Sequence, residues 1–215
     1  MTFSVPNITV AVNHSRTTVY IDGFNLYYGI VEKGWDDCKW LNLEALAQTL
    51  VPATNPVVKY FTAHISGPVG KARRQVKYIE ALDAYTSIEI IKGEYQDHDE
   101  ECHNCHWTWI RGEEKMTDVA IAAAIIDDCY QGLVDDVVVV SGDRDLVPVF
   151  ELVTHRFKGI TVRVAFPPGR VSTHIQDMEG VKTIFINRTK LLNSQLPQDV
   201  VKADGYVLGR PGVWS

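Results

Sequence analysis

Asp136-Val137-Val138-Val139-Val140-Ser141-Gly142-Asp143-Arg144-Asp145 is the stretch on which the fold turns. Four consecutive valines make a β-branched apolar run, the pattern of a strand buried on both faces of a parallel sheet. Ser141-Gly142 ends the run where a sharp turn is cheap for the backbone. Leu146 to His155 then reads as a helix, with Pro148 tolerated in its first turn. Asp143 and Asp145 are thereby delivered to the C-terminal edge of a sheet, where open α/β folds build their sites. A plainer reading exists for each alone, since aspartate is a common turn residue and helix cap.

Working outward, Thr17 to Ile21 is a second buried-type strand, and it too ends in a carboxylate, Asp22. Gly23-Phe24-Asn25 reads as the turn before a helix over Leu26 to Val31. Further helices are expected at Leu43 to Leu50, capped by Asn42, at Lys71 to Tyr85, at Thr117 to Tyr130 and near Ser172 to Met178. Strands are expected at Val57 to His64, Ile88 to Ile91 and Thr161 to Ala165, with a last edge strand at Thr183 to Ile186. This alternation implies right-handed crossovers and a mainly parallel sheet in an α/β domain. Residues 93 to 112 break the rhythm and read as a polar, acidic loop around Cys102-His103-Asn104-Cys105-His106. Residues 1 to 16 form an N-terminal arm without periodicity, 17 to 186 the domain with an insertion at 94 to 112, and 187 to 215 a C-terminal strap.

The chain has 215 residues, 46% hydrophobic and 22% charged, which suits one soluble domain with a sizeable core. No apolar run is long enough to cross a bilayer, and Met1 to Arg16 lacks the pattern of an export signal. A cytoplasmic location is therefore expected, with its four cysteines as thiols or metal ligands rather than disulfides. A net charge of −6 argues against simple coating of nucleic acid. It leaves room for an enzyme that meets phosphate through bound metal ions.

Asp22 and Asp143 follow buried strands, and Asp118 opens a helix after the loop. If the two strands are neighbours, all three face one crevice, with Asp145 and Asn25 at its rim. Hard oxygen ligands gathered in this way suit Mg²⁺ or Mn²⁺. Such ions lower the pKa of bound water and clamp a phosphate for in-line displacement. Without metal the cluster would be like charges held together at a cost.

Tyr20-Ile21-Asp22-Gly23-Phe24-Asn25, Glu114-Lys115-Met116-Thr117-Asp118 and Val140-Ser141-Gly142-Asp143-Arg144-Asp145 together resemble the NYN domain, a branch of the PIN-like nucleases, with the LabA-like group most similar. The resemblance spans roughly residues 17 to 186. It implies a three-layer α/β/α PIN-like (Rossmann-like) fold and metal-dependent cleavage of RNA. Asp22, Asp118 and Asp143 would then be metal ligands, Asp145 an auxiliary ligand, and Asn25 would orient a ligand or the substrate phosphate. The Cys-x-x-Cys insertion and the closing Arg210-Pro211 with Trp214 also look like features of this group.

Cys102 and Cys105 have zinc-knuckle spacing, with His106, His103 and His98 near enough to contribute, but only one half of a typical four-ligand site is visible. The same stretch spells the haem-attachment pattern, which the missing export signal and acidic surroundings disfavour. Lys71, Arg73, Arg74 and Lys77 could track a nucleic-acid backbone, or form an ordinary solvated helix face. Trp107 and Trp109 could stack bases or pack the loop onto the domain. Three Asn-x-Ser/Thr triplets carry no meaning without export.

The expectation is a metal-dependent ribonuclease acting on single-stranded RNA, without membrane association. A homo-oligomer or protein partner is left open. The main rival is a non-catalytic module of the same fold that binds RNA or protein. An aspartyl phosphatase is a weaker one, because it wants a second carboxylate two residues after the first and position 24 is Phe.

Overall fold

The structure, a computed structural model, describes residues 16–51, 55–65, 68–101 and 103–214, with only the backbone described at 95–99 and 109–115. Strand β1 (Thr17–Asp22) and strand β5 (Asp136–Val140) lie side by side in parallel at the centre of the sheet. Every residue of both is buried. The valine run alternates as a two-faced strand must: Val138 and Val140 enter one core with Val19 and Ile21, while Val137 and Val139 enter the other with Tyr20.

β2 (Val57–Ala63) joins the outer side of β1, and the first part of β3 (Glu89–Glu101) joins β2. On the other side, β6 (Thr161–Phe166) pairs with β5, and β7 (Val181–Phe185) with β6. The resulting order β3-β2-β1-β5-β6-β7 is parallel throughout. Helices α1 (Gly23–Glu32), α2 (Leu43–Leu50) and α3 (Val69–Tyr85) cover one face. Helices α4 (Thr117–Tyr130), α5 (Val147–Arg156) and α6 (Thr173–Gln176) cover the other. This is the expected three-layer α/β/α arrangement.

The rhythm-breaking stretch is not a loop. β3 continues past the sheet and folds back as β4 (Thr108–Lys115), pairing Glu94 with Lys115 through to Glu101 with Thr108 in antiparallel register. Its abundant carboxylates hid the strand, because Asp and Glu are poor strand formers while the ladder of backbone hydrogen bonds needs no apolar side chains. At the turn, Cys105 and His106 are described and exposed, whereas Cys102 lies outside the described residues. The expected N-terminal arm falls almost wholly outside them too.

The chain after the sheet adds α7 (Arg188–Leu192) and a small hairpin of β8 (Asp199–Val201) and β9 (Val207–Gly209). It ends with Trp214 buried against Trp40 and Tyr78, ring centroids about 6 Å from each. Among the described residues no helix is long and apolar enough to cross a membrane.

Candidate active site

The chain runs from β1 to β2 on one side of the sheet, yet β5 occupies the other side of β1. The strand order therefore reverses between β1 and β5, and their carboxyl ends frame a crevice. Asp22 is the last residue of β1, and α1 begins at once at Gly23, with no intervening turn. The reason is Asp22 itself, which caps the helix by accepting from the Asn25 backbone N–H at 2.9 Å. Its other oxygen accepts from the Ser141 hydroxyl, also at 2.9 Å.

The second wall is tied to the first. The Gly142 N–H donates to Asn25 Oδ1 at 3.0 Å, and the Asp143 N–H donates to Ser141 Oγ at 3.1 Å. Asp143 caps the short 3₁₀ turn at Arg144–Leu146 by accepting from the Asp145 N–H at 3.0 Å. Asp118 comes from the first turn of α4, after Met116, whose left-handed φ of 74° is uncommon for a side chain of its kind. At its far end α4 is fastened to the sheet: buried Asp128 accepts from Tyr20 Oη at 2.6 Å and from Lys59 Nζ at 2.8 Å.

Asp22, Asn25, Asp118 and Asp143 line one crevice together with Phe24, Tyr28 and Arg170, as the spacing of the motifs predicts. Asp145 stands at the rim, exposed. Phe24, Tyr28, Ser141 and Arg170 were not singled out from the sequence. An aromatic cluster directly after Asp22 and a Pro-Pro-Gly-Arg turn after β6 were the available signals, since every parallel strand ends on this edge. The Pro167–Arg170 turn is pressed tightly onto the site. A Cβ on Gly142 would come to 1.8 Å from the Arg170 carbonyl oxygen, and one on Gly29 to 2.7 Å from that of Pro168.

Crowded carboxylates raise one another's pKa. Burial pushes the Asp22 carboxyl above the ordinary carboxylate range, against the hydrogen bonds from Asn25 and Ser141, and the Asp143 charge adds to the push. Asp118 is raised to about 6, by burial first and then by the charges of Asp22, Asp143 and Asp145. Four acids thus share a field that a cation would relieve. Among the described residues no three such side chains form a ready-made cage.

The basic group on α3 is split by the helical period. Lys71 and Arg74 share one face and line a cleft beside the crevice, whereas Arg73 and Lys77 line neither. Trp107 is exposed at the hairpin end, away from both.

Comparison with known proteins bears on the fold and the family. The chain is 27% identical to a 6-hydroxy-3-succinoylpyridine 3-monooxygenase of Pseudomonas putida, across 85% of this chain and 70% of that one. Its fold is similar to a protein of unknown function from Vibrio parahaemolyticus, with a TM-score of 0.54, 19% identity, and 86% of this chain and 98% of that one covered. The NYN domain family matches residues 16–186. A match over most of the chain means that this chain belongs to the NYN domain family.

Proposed function

We propose that this chain is a divalent-metal-dependent ribonuclease that hydrolyses phosphodiester bonds in single-stranded RNA. The observation that carries the reading is the convergence of Asp22, Asp118 and Asp143 on the crevice between β1 and β5. Asp22, Asp118 and Asp143 would hold Mg²⁺ or Mn²⁺, with Asp145 as an auxiliary group at the rim. The ion supplies charge neutralisation on the phosphate and a more acidic water. Asn25, whose Oδ1 is engaged by Gly142, presents its amide NH₂ as the group left to orient a phosphate oxygen. Asp118, whose carboxyl is raised by burial and the neighbouring acids while the crevice holds no cation, would give up its proton as the ion binds. Arg170 also lines the crevice wall, its guanidinium paired with Glu32.

A second reading follows from the P. putida relative, whose name describes oxygenation of a pyridine ring. The aromatic-walled cleft beside the crevice could accept such a ring. The two chemistries separate cleanly, because a monooxygenase needs dioxygen and a reductant whereas hydrolysis needs neither. Incubation with generic labelled RNA and Mn²⁺ under anaerobic, reductant-free conditions is expected to yield cleavage products. RNA binding with no cleavage under any metal condition would instead fit a regulatory NYN module.

Cys105 and His106, together with Cys102, are proposed as part of a structural zinc site at the hairpin turn. Elemental analysis of protein purified without added metal is expected to show zinc well above background; background zinc with freely titratable thiols would make this a plain turn.

A further inference from the structure

A second opening adjoins the acid crevice and shares Phe24 and Tyr28 with it. It lies between α1 and α3, with about 710 Å³ of free space including its solvent mouth. Tyr27 and Tyr28 of α1 form one wall and Tyr78 of α3 another, over a floor that includes buried Leu26 and Ile30. Lys71 Nζ stands 5.6 Å from the Tyr27 ring centroid and 5.4 Å from that of Tyr28. Neither Lys71 nor Arg74 has a carboxylate partner among the described residues, though both are partly buried.

Partly buried cations without counter-ions among the described residues call for an anion, and the aromatic wall that Phe24, Tyr27 and the exposed Tyr28 present beside Lys71 calls for a flat π system. An apolar chain would satisfy the rings but leave both cations unpaired. A bare phosphate would satisfy the cations but leave the aromatic walls uncovered. A nucleotide satisfies both. We propose that the α1–α3 cleft binds a nucleobase of single-stranded RNA, with Lys71 and Arg74 holding that nucleotide's phosphate. The shared wall of Phe24 and Tyr28 places the next phosphodiester towards the acid crevice. The cleft would thus choose which nucleotide flanks the cut; this rests on the hydrolytic reading for the neighbouring phosphate, but the base site itself does not need catalysis.

The test is equilibrium binding in EDTA, where no cleavage occurs. A short labelled oligoribonucleotide is compared with an abasic oligonucleotide carrying the same phosphates. The base-bearing strand is expected to bind about tenfold tighter, the scale of one base stacked on an aromatic side chain. Tyr27→Leu should abolish that difference and leave abasic binding unchanged. Lys71→Gln should weaken both strands and lower the slope of log affinity against log salt by about 0.7. The wild-type comparison stands even if Tyr27→Leu fails to fold. Equal affinity for the two strands overturns the proposal. So does competition by a small aromatic carboxylate at lower concentration than any mononucleotide, since the cleft would then serve a free metabolite. Base-dependent binding without metal-dependent cleavage would sink the ribonuclease and leave the base site intact; cleavage without base dependence would do the reverse.

Discussion

Ser141 reaches across the sheet's point of reversal to donate a 2.9 Å hydrogen bond to Asp22, so the end of β5 holds the carboxylate at the end of β1. Together with the Gly142–Asn25 bond, it makes the two strand ends one unit. The acids are thus kept near each other by neutral donors rather than by counter-charges, which leaves their negative potential available for a cation.

Asp143→Asn preserves the acceptor that caps the 3₁₀ turn but removes a charge. Cleavage is expected to fall at least about a hundredfold, since a metal-held transition state draws several kcal/mol from such ligands. Manganese affinity should fall with it. Asp145→Asn should cost less, because water can replace a rim ligand. Single-turnover cleavage and calorimetric Mn²⁺ titration measure the pair; unchanged rates with Asp143→Asn would remove this aspartate from the site.

Metal-free stability should decline as the pH rises from about 4 to about 6. Unfolded Asp118 loses its proton near the ordinary 3.8, whereas the folded residue keeps it to about 6. Between those values the native state binds more protons, so raising the pH favours unfolding. Asp22, raised for similar reasons, pulls the same way. Asp118→Asn should flatten this slope and raise metal-free stability at neutral pH by up to about 2 kcal/mol, after allowing for solvent screening. Urea unfolding in EDTA across this range reads it directly.

Gly142→Ala places a methyl group where the Arg170 carbonyl already lies, at 1.8 Å. Neither strand end nor turn can yield without losing hydrogen bonds, so a loss of about 2 to 3 kcal/mol is expected from overpacking. Activity should drop as well, because the Asn25 tether runs through the same residue. Denaturant midpoints and the cleavage assay together check this.

Lys59→Met leaves Asp128 buried with Tyr20 as its one side-chain partner among the described residues. Breaking a buried pair from one side costs about 3 to 5 kcal/mol. Asp128→Asn in the same background should recover part of it, and a double-mutant cycle on melting temperature separates the two contributions.

The sheet's centre was legible because Val137–Val140 and Thr17–Ile21 are apolar on both faces, a demand only a central strand makes. The acid crevice was legible because Asp22 ends one such strand and Asp143 follows the other by three residues. The helix start at Gly23 was missed: Asp22 was read as a ligand only, when it is also the cap that lets α1 begin early. The hairpin was missed because its strands carry charge where strand residues are usually β-branched. The aromatic cleft depends on α1 and α3 meeting over the sheet edge, so Tyr27, Lys71 and Tyr78 are neighbours only after folding.

β4 ends at Lys115 and α4 begins at Thr117, leaving Met116 alone between the hairpin and the helix that carries Asp118. Its left-handed backbone carries the chain from the hairpin straight into the helix. The hairpin shares β3 with the central sheet, and α4 is tied to the same sheet through Asp128. Asp118 is thus set from two directions by one frame, so its position in the crevice is inherited from the sheet and not from a loop.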